Sequence, residues 1–144
     1  MTTDGDYAPS PRDWVRDQVE VIERTGDTRS TDLKGLPIVL LTMRGAKSGK
    51  VRKVPLMRVE HDGDYLAVAS QGGAPDNPKW YANLVADPDI EIHDGTTTTP
   101  VRARELEGQE RYEWWVRAVA AYPEYADYQV RTQRQIPLLV LEPR

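Results

Sequence analysis

Gly45-Ala46-Lys47-Ser48-Gly49-Lys50 puts two ammonium groups, a hydroxyl and two flexible glycines into six positions, a composition suited to holding an anion. Backbone amides in a glycine-containing turn and nearby cations act together on phosphate or carboxylate oxygens. The loop lies in a longer acid-free window. From Leu33 to Val59 there is no Asp or Glu, while Lys34, Arg44, Lys47, Lys50, Arg52, Lys53 and Arg58 are all basic. The chain as a whole is acidic, with net charge −4 and pI ≈ 5.2, so its basicity is focused and an anionic ligand is expected there. The loop does not complete a nucleoside-triphosphate P-loop, because Arg44 stands where that motif needs glycine and Val51 where it needs Ser or Thr. A solvated basic hairpin turn is the alternative reading of the loop taken alone.

Tyr122, Tyr125 and Tyr128 recur every three residues beside Pro123, a spacing that spreads three rings over one broad helical face. They can form an aromatic wall or simply pack. Phe is absent while Trp numbers 4 and Tyr 7, so every six-membered or indole ring carries a polar handle suited to a half-wet pocket. With no cysteine, disulfides, thiol catalysis and thiolate metal sites are excluded. His61 and His93 each sit beside an Asp-Gly turn with no partner at metal-ligand spacing, so no metal site is expected. Glu105 with Glu107, and Asp87 with Asp89, read as solvated strand ends, and no nucleophile has an adjacent base. Nucleic-acid binding is disfavoured by the low pI.

The elements that position these residues follow from periodicity and turn chemistry. Ser10-Pro11 predicts a helix start, with Trp14, Val15, Gln18, Val19 and Ile22 on one stripe and Gly26 as the stop. Leu36 to Met43 is a buried strand, Val51 to Val59 the next, and Tyr65 to Ser70 returns after the Asp62-Gly63 turn. Asn77-Pro78 predicts a short helix with Tyr81, Leu84 and Val85 on one face, ended by Asp87-Pro88. Ile90 to His93 and the Thr-rich run to Leu106 form a hairpin about Asp94-Gly95. Gln109 to Ala121 is helical by the spacing of Tyr112, Trp115, Val116 and Val119, Pro123 opens another short helix, and Ile136 to Leu141 is the last strand. About six strands joined mainly by hairpins predict an antiparallel, mainly β (α+β) barrel decorated by helices, in one domain spanning 1–144 with residues 1–10 flexible.

Several stretches in fixed order make a more specific match. Gly45 to Arg52, Pro55-Leu56-Met57-Arg58-Val59, Ala69-Ser70-Gln71-Gly72-Gly73-Ala74-Pro75, Pro78-Lys79-Trp80-Tyr81 with Asn83-Leu84, Trp114-Trp115, Tyr122 to Tyr128 and Arg134-Gln135-Ile136-Pro137 closely resemble the deazaflavin-dependent nitroreductases of actinobacteria. The resemblance covers nearly everything after Leu36. It implies a split β-barrel of the flavin-reductase superfamily that uses the reduced deazaflavin coenzyme F-420 to reduce quinones and nitro compounds. That coenzyme carries a phosphodiester and an oligoglutamate tail, to which Lys47, Ser48, Gly49, Lys50, Arg52 and Lys53 would bind, Arg52 through its planar fork.

By the same resemblance, Pro55, Leu56 and Met57 line the flat ring system, Val68, Ala69, Ser70, Gln71 and Gly72 contribute from the neighbouring strand, and Trp80 and Asn83 close the pocket. Many relatives have Lys where this chain has Gln71. Tyr122, Tyr125 and Tyr128 line the acceptor site, and Ser70, Tyr125 or Tyr128 stabilises the acceptor oxygen or relays a proton. The competing readings are a flavin-mononucleotide oxidoreductase of the same barrel and a deazaflavin carrier without turnover. The chain is expected to be cytoplasmic, since no apolar run is long enough to span a bilayer and Met1 to Ser10 lacks a signal peptide's apolar stretch. Arg12, Arg16 and Arg24 beside the apolar stripe leave two placements open for the first helix, on the membrane surface or on the barrel.

Overall fold

The computed structural model describes residues 5–144 and contains an antiparallel sheet of seven strands in the order β2-β1-β5-β6-β7-β4-β3. In chain order the elements are α1 (Asp13–Thr25), β1 (Ile38–Arg44), β2 (Val51–Met57), β3 (Glu60–His61), β4 (Asp64–Val68), α2 (Lys79–Ala86), β5 (Asp89–Asp94), β6 (Thr97–Glu105), α3 (Gly108–Ala121), α4 (Glu124–Arg131) and β7 (Leu138–Pro143). The sheet curls into a split β-barrel. Its two edge strands, β2 and β3, are halves of one bent run: Arg58 N still donates to Pro37 O at 3.1 Å on the β1 side, and Leu66 N donates to Val59 O at 3.0 Å on the β4 side. Six chain paths thus give seven strands. The bend is pinned by Arg58, whose Nε donates to both oxygens of Asp94 at 3.0 and 3.1 Å, while Tyr65 Oη donates to Asp94 at 2.6 Å.

Strand register sorts the side chains into three layers. Val39, Leu41 and Met43 of β1 face the barrel interior with Ala67, Ile90, Ile92, Val101, Ala103, Leu139 and Leu141, and Leu84 of α2 seals that cluster. The alternate residues Ile38 and Leu40 face outward under Val15, Val19 and Ile22 of α1. On the other flank, Leu66, Val68, Leu138 and Val140 pack beneath Trp114, Ala118, Tyr122 and Tyr125. The apolar stripe of α1 is therefore buried against the barrel, and no described helix is long and apolar enough to cross a membrane.

Several local expectations change. Arg12, without a side-chain cap, stands at the start of α1, and Ser10 Oγ accepts from Arg12 N at 3.2 Å in place of capping the first turn. Trp14 lies off the stripe, 52% exposed. Asn77 does not cap α2, because its Oδ1 accepts from Arg134 Nη1 at 2.7 Å, and Val85 points to solvent. On α3 the buried residues are Trp114 and Ala118, Trp115 and Val119 pack half-buried on the same cluster, and Tyr112 and Val116 are exposed. The small Ala118 lets the helix axis approach the sheet, which a reading weighted by large side chains misses. The stop at Gly26 is as expected, left-handed at φ 70° with its amide on Ile22 O. Within the stretch expected to be flexible, residues 1–4 lie outside the described residues; Tyr7 pairs in parallel with Val51 at the free edge of β2.

Candidate functional site

The β1–β2 connection is a tight loop whose ends are tied by Gly45 N to Lys50 O at 2.7 Å and Gly49 N to Gly45 O at 2.9 Å, with Gly49 left-handed at φ 70°. Ser48 Oγ accepts from Lys50 N at 3.1 Å, and Ala46 N donates to Asn83 Oδ1 at 2.9 Å, which seats the loop on α2. Among the described residues the amides of Lys47 and Ser48 have no hydrogen bond, and the exposed ammonium groups of Lys47 and Lys50 have no counter-ion. The tip of the loop therefore presents two cations and two open N–H donors to solvent, as an anion cradle requires.

The other two expected tail contacts have partners within the chain. Met43 pairs with Arg52 and Thr42 with Lys53, so the two side chains leave β2 on opposite faces. Arg52 Nη1 donates to Ala8 O at 3.1 Å and Pro9 O at 3.3 Å, holding the N-terminal segment. Lys53 is ion-paired to Glu23 of α1 and lies 5.7 Å from the Tyr7 ring centroid. The same alternation splits the expected ring-lining strand. Leu56 packs toward the barrel interior beside Trp80, whereas Pro55 and Met57 face the other way, Met57 joining Val68, Tyr122 and Tyr125 in one cluster.

Val68 leads into a loop with three successive left-handed residues, Gln71 (φ 46°), Gly72 (φ 63°) and Gly73 (φ 80°). Such a run is strained at Gln71 and needs outside support. Arg134 supplies it: Nε donates to Ala74 O at 3.0 Å, Nη1 to Ala69 O at 3.1 Å and to Asn77, and Nη2 to Ser70 O at 2.8 Å. Gly73 is packed so closely on α4 that a β-carbon there would lie 2.7 Å from Tyr128 O. Ala69 is fully buried and the buried Ser70 hydroxyl has no hydrogen-bond partner among the described residues.

The three tyrosines do form one cluster. Tyr122 and Tyr125 meet edge to face at 4.9 Å between centroids, with Tyr128 at 5.9 Å from Tyr122 and 6.2 Å from Tyr125. Their hydroxyls differ. Tyr122 Oη donates to Glu124 Oε2 at 2.6 Å and lies 2.8 Å from Tyr128 Oη, which reaches the same carboxylate at 3.2 Å. Lys34 Nζ donates to Glu124 Oε2 at 2.7 Å and to Tyr122 Oη at 2.9 Å. Lys34 and then Tyr122 hold the Glu124 carboxyl down at about 2, and burial, followed by the neighbouring Glu124 carboxylate, pushes the Tyr122 phenol up. Tyr125 is raised chiefly by burial. Its hydroxyl has no hydrogen bond but is not sealed in: the unpaired side-chain atom wholly closed off among the described residues is Gln18 Oε1.

Lys34, Glu124 and Arg134 thus join the site without having been singled out for it. Lys34 reaches a tyrosine 88 positions away, and no spacing rule foretells that. Among the described residues no group of His, Asp and Glu is arranged to hold a metal.

The sequence profile described as "F420H(2)-dependent quinone reductase" matches residues 14–143. The chain belongs to this family. One relative in Mycobacterium tuberculosis, provisionally described as such a quinone reductase, is 40% identical over 111 residues, covering 77% of this chain and 93% of the relative. A solved structure described as an F420-H2 dependent reductase is 56% identical and superposes with TM-score 0.71, covering 74% of this chain and 94% of that one. Another, described as a domain-swapped dimer, is 53% identical with TM-score 0.73, covering 92% of this chain and 100% of that one. The family is one of enzymes, named for reduced coenzyme F-420 as donor and quinone as acceptor.

Proposed function

We propose that this chain binds reduced coenzyme F-420 and reduces quinones, with nitroaromatic compounds as further acceptors. The observation that supports it most directly is the tip of the Gly45–Lys50 loop, where two lysines without a counter-ion and two amides without a hydrogen bond among the described residues fit the phosphodiester and oligoglutamate tail of that coenzyme. Lys47, Lys50, Ser48 and Gly49 would hold the tail, while Arg52 and Lys53 secure the N-terminal segment and α1 beside it. Leu56 and Trp80 would flank the ring, Pro55 and Met57 lie on the opposite face of β2 with Met57 against the tyrosines, and Asn83 fixes the basic loop at its edge. Val68 to Gly72 present the ring-side backbone, held by Arg134.

When bound, the reduced deazaflavin supplies the hydride, so the side chains need only orient, exclude water and steady developing negative charge. Tyr122, Tyr125 and Tyr128 supply flat apolar faces for a planar acceptor. The hydroxyls of Ser70 and Tyr125, each without a hydrogen-bond partner among the described residues, are the donors available to an acceptor oxygen, whereas Tyr128 is already held by Tyr122 and Glu124. The test is to mix protein, reduced coenzyme and menadione and follow coenzyme oxidation. Oxidation at least tenfold above the protein-free rate is expected, with no turnover when reduced flavin mononucleotide is substituted. Tight coenzyme binding without turnover would make the chain a carrier, and turnover with the flavin alone would reassign the donor.

A further inference from the structure

Lys34 occupies an unusual backbone. Leu33 and Leu36 exchange both amide–carbonyl bonds, at 2.9 and 3.2 Å, across a two-residue turn whose central residues Lys34 (φ 54°) and Gly35 (φ 76°) are both left-handed. A turn of this hand favours Asn-Gly or Asp-Gly, and a lysine at its first central position is strained. The strain persists where the surroundings hold it, and here they are specific: the ammonium sits on Glu124 and Tyr122 and lies 5.5 Å from the Tyr122 ring centroid. Leu33 and Leu36, either side of the turn, pack on the cluster that contains Tyr122 and Tyr125. The turn is thereby fixed to the tyrosine wall by apolar contact as well as by charge.

Glu124 receives three donors on one oxygen: Lys34 Nζ, Tyr122 Oη and, more weakly, Tyr128 Oη. A carboxylate that collects two phenols fixes the direction of their O–H bonds and so removes them as donors to anything else. Tyr125, between those two rings, keeps the one hydroxyl of the three without a partner among the described residues.

We propose that Lys34 and Glu124 are positioning residues that turn the Tyr122 and Tyr128 hydroxyls away from the acceptor and leave Tyr125 as the tyrosine that meets its oxygen. This rests on the reductase reading above. Lys34 and Glu124 act through the tyrosines and touch neither coenzyme nor acceptor. Removing the carboxylate charge loosens both phenols directly, and removing the ammonium releases the carboxylate that collects them, so a planar acceptor meets a less ordered wall and binds less well, while the coenzyme tail at the basic loop is untouched.

Lys34→Asn separates positioning from structural support, because it removes the ammonium while installing the Asn-Gly pair that this turn favours. Lys34→Asn, Lys34→Arg and Glu124→Gln are compared with the wild type in menadione reduction, in coenzyme affinity by fluorescence titration and in melting temperature. Lys34→Asn and Glu124→Gln are expected to raise KM for menadione about five- to twentyfold with kcat changed less than about threefold and coenzyme affinity within about twofold. Lys34→Arg keeps KM within about twofold, and the Tm of Lys34→Asn stays level or rises by about 1–3 °C. An unchanged KM in both charge-removing variants overturns the proposal while leaving the reductase reading intact. A Lys34→Asn protein whose Tm, kcat and coenzyme affinity all fall together overturns it in favour of a structural brace. A wild-type protein that neither binds the coenzyme nor consumes menadione overturns both.

Discussion

Lys47 and Lys50 stand at a loop tip with no counter-ion among the described residues, whereas Lys34, from the same acid-free window, is bound by the Glu124 carboxylate at the start of α4 and by the phenol of Tyr122 at the end of α3. The two regions start from the same kind of residue and use it differently. At the loop the charge is open to a ligand; at the tyrosine cluster it is engaged within the chain and shapes neighbouring groups. Arg52 and Lys53 make the distinction sharper, since adjacent residues of one strand reach the carbonyls of Ala8 and Pro9 on one face and Glu23 on the other. Basic residues in a sequence mark where positive potential can exist. Register and packing decide which of them remain available.

The strongest way to break this comparison lies at the joint between the regions, where Gly73 meets α4. A β-carbon there would lie 2.7 Å from Tyr128 O and 3.1 Å from Tyr128 Cα, on a backbone held at φ 80°. Neither neighbour is a flexible side-chain end, so relief requires α4 or the loop to move. Gly73→Val is expected to cost about 3 kcal/mol or more, from the left-handed backbone and the forced displacement together. Urea unfolding reads the loss directly. A variant as stable as wild type would show that α4 and the ring-side loop are not rigidly joined, and the tyrosines would then need no fixed relation to the coenzyme pocket.

Much of this arrangement was legible in the sequence, because the barrel is built from strong local signals. The Asp62-Gly63 and Asp94-Gly95 turns, the Gly26 stop and the apolar runs of β1 and β7 each state their structure within a few residues. The basic loop was legible for the same reason. What was hidden depends on contacts across the fold. Arg134 and Glu124 lie in stretches that carry the resemblance, yet nothing local gives either a role until Ala69, Ser70 and Ala74 turn their carbonyls toward Arg134 and Lys34 reaches Glu124 from 90 positions away. The buried face of α3 is only partly marked by spacing: Trp115 and Val119 pack on the core cluster, but Ala118 contributes little hydrophobicity while permitting close approach.

A smaller effect sharpens the comparison at the basic loop. Exposed ion contacts contribute up to about 1 kcal/mol each, so Lys47→Ala with Lys50→Ala is expected to weaken coenzyme binding about ten- to thirtyfold at low salt, and less at high salt. Arg52→Gln is expected to change that affinity less than about threefold while costing about 1 kcal/mol of stability, through loss of the bonds to Ala8 and Pro9. Calorimetric titration with the coenzyme and urea unfolding of the same samples provide both readings. A larger affinity loss for Arg52→Gln than for the double lysine variant would reverse the assignment and place the guanidinium on the ligand.

The smallest difference is one of pH. The Glu124 carboxyl is lowered from an ordinary 4.5 to about 2, by Lys34 first and Tyr122 next. For an acid with a depressed folded value, the stabilisation is complete above the unfolded value and is lost as pH falls from about 4.5 through about 2. The brace on the tyrosines should therefore still be ionised at pH 5, and KM for menadione at saturating coenzyme should differ less than about twofold between pH 7 and pH 5. The basic loop faces the opposite situation, because the tail carboxylates of the coenzyme, with ordinary values near 4.3, begin to gain protons. Coenzyme affinity should accordingly fall a few fold between pH 7 and pH 4.5, as measured by calorimetry. If KM rises over that interval while coenzyme affinity holds, the titrating charge belongs to the tyrosine cluster, and the division between an open cationic loop and a closed, charge-constant wall fails.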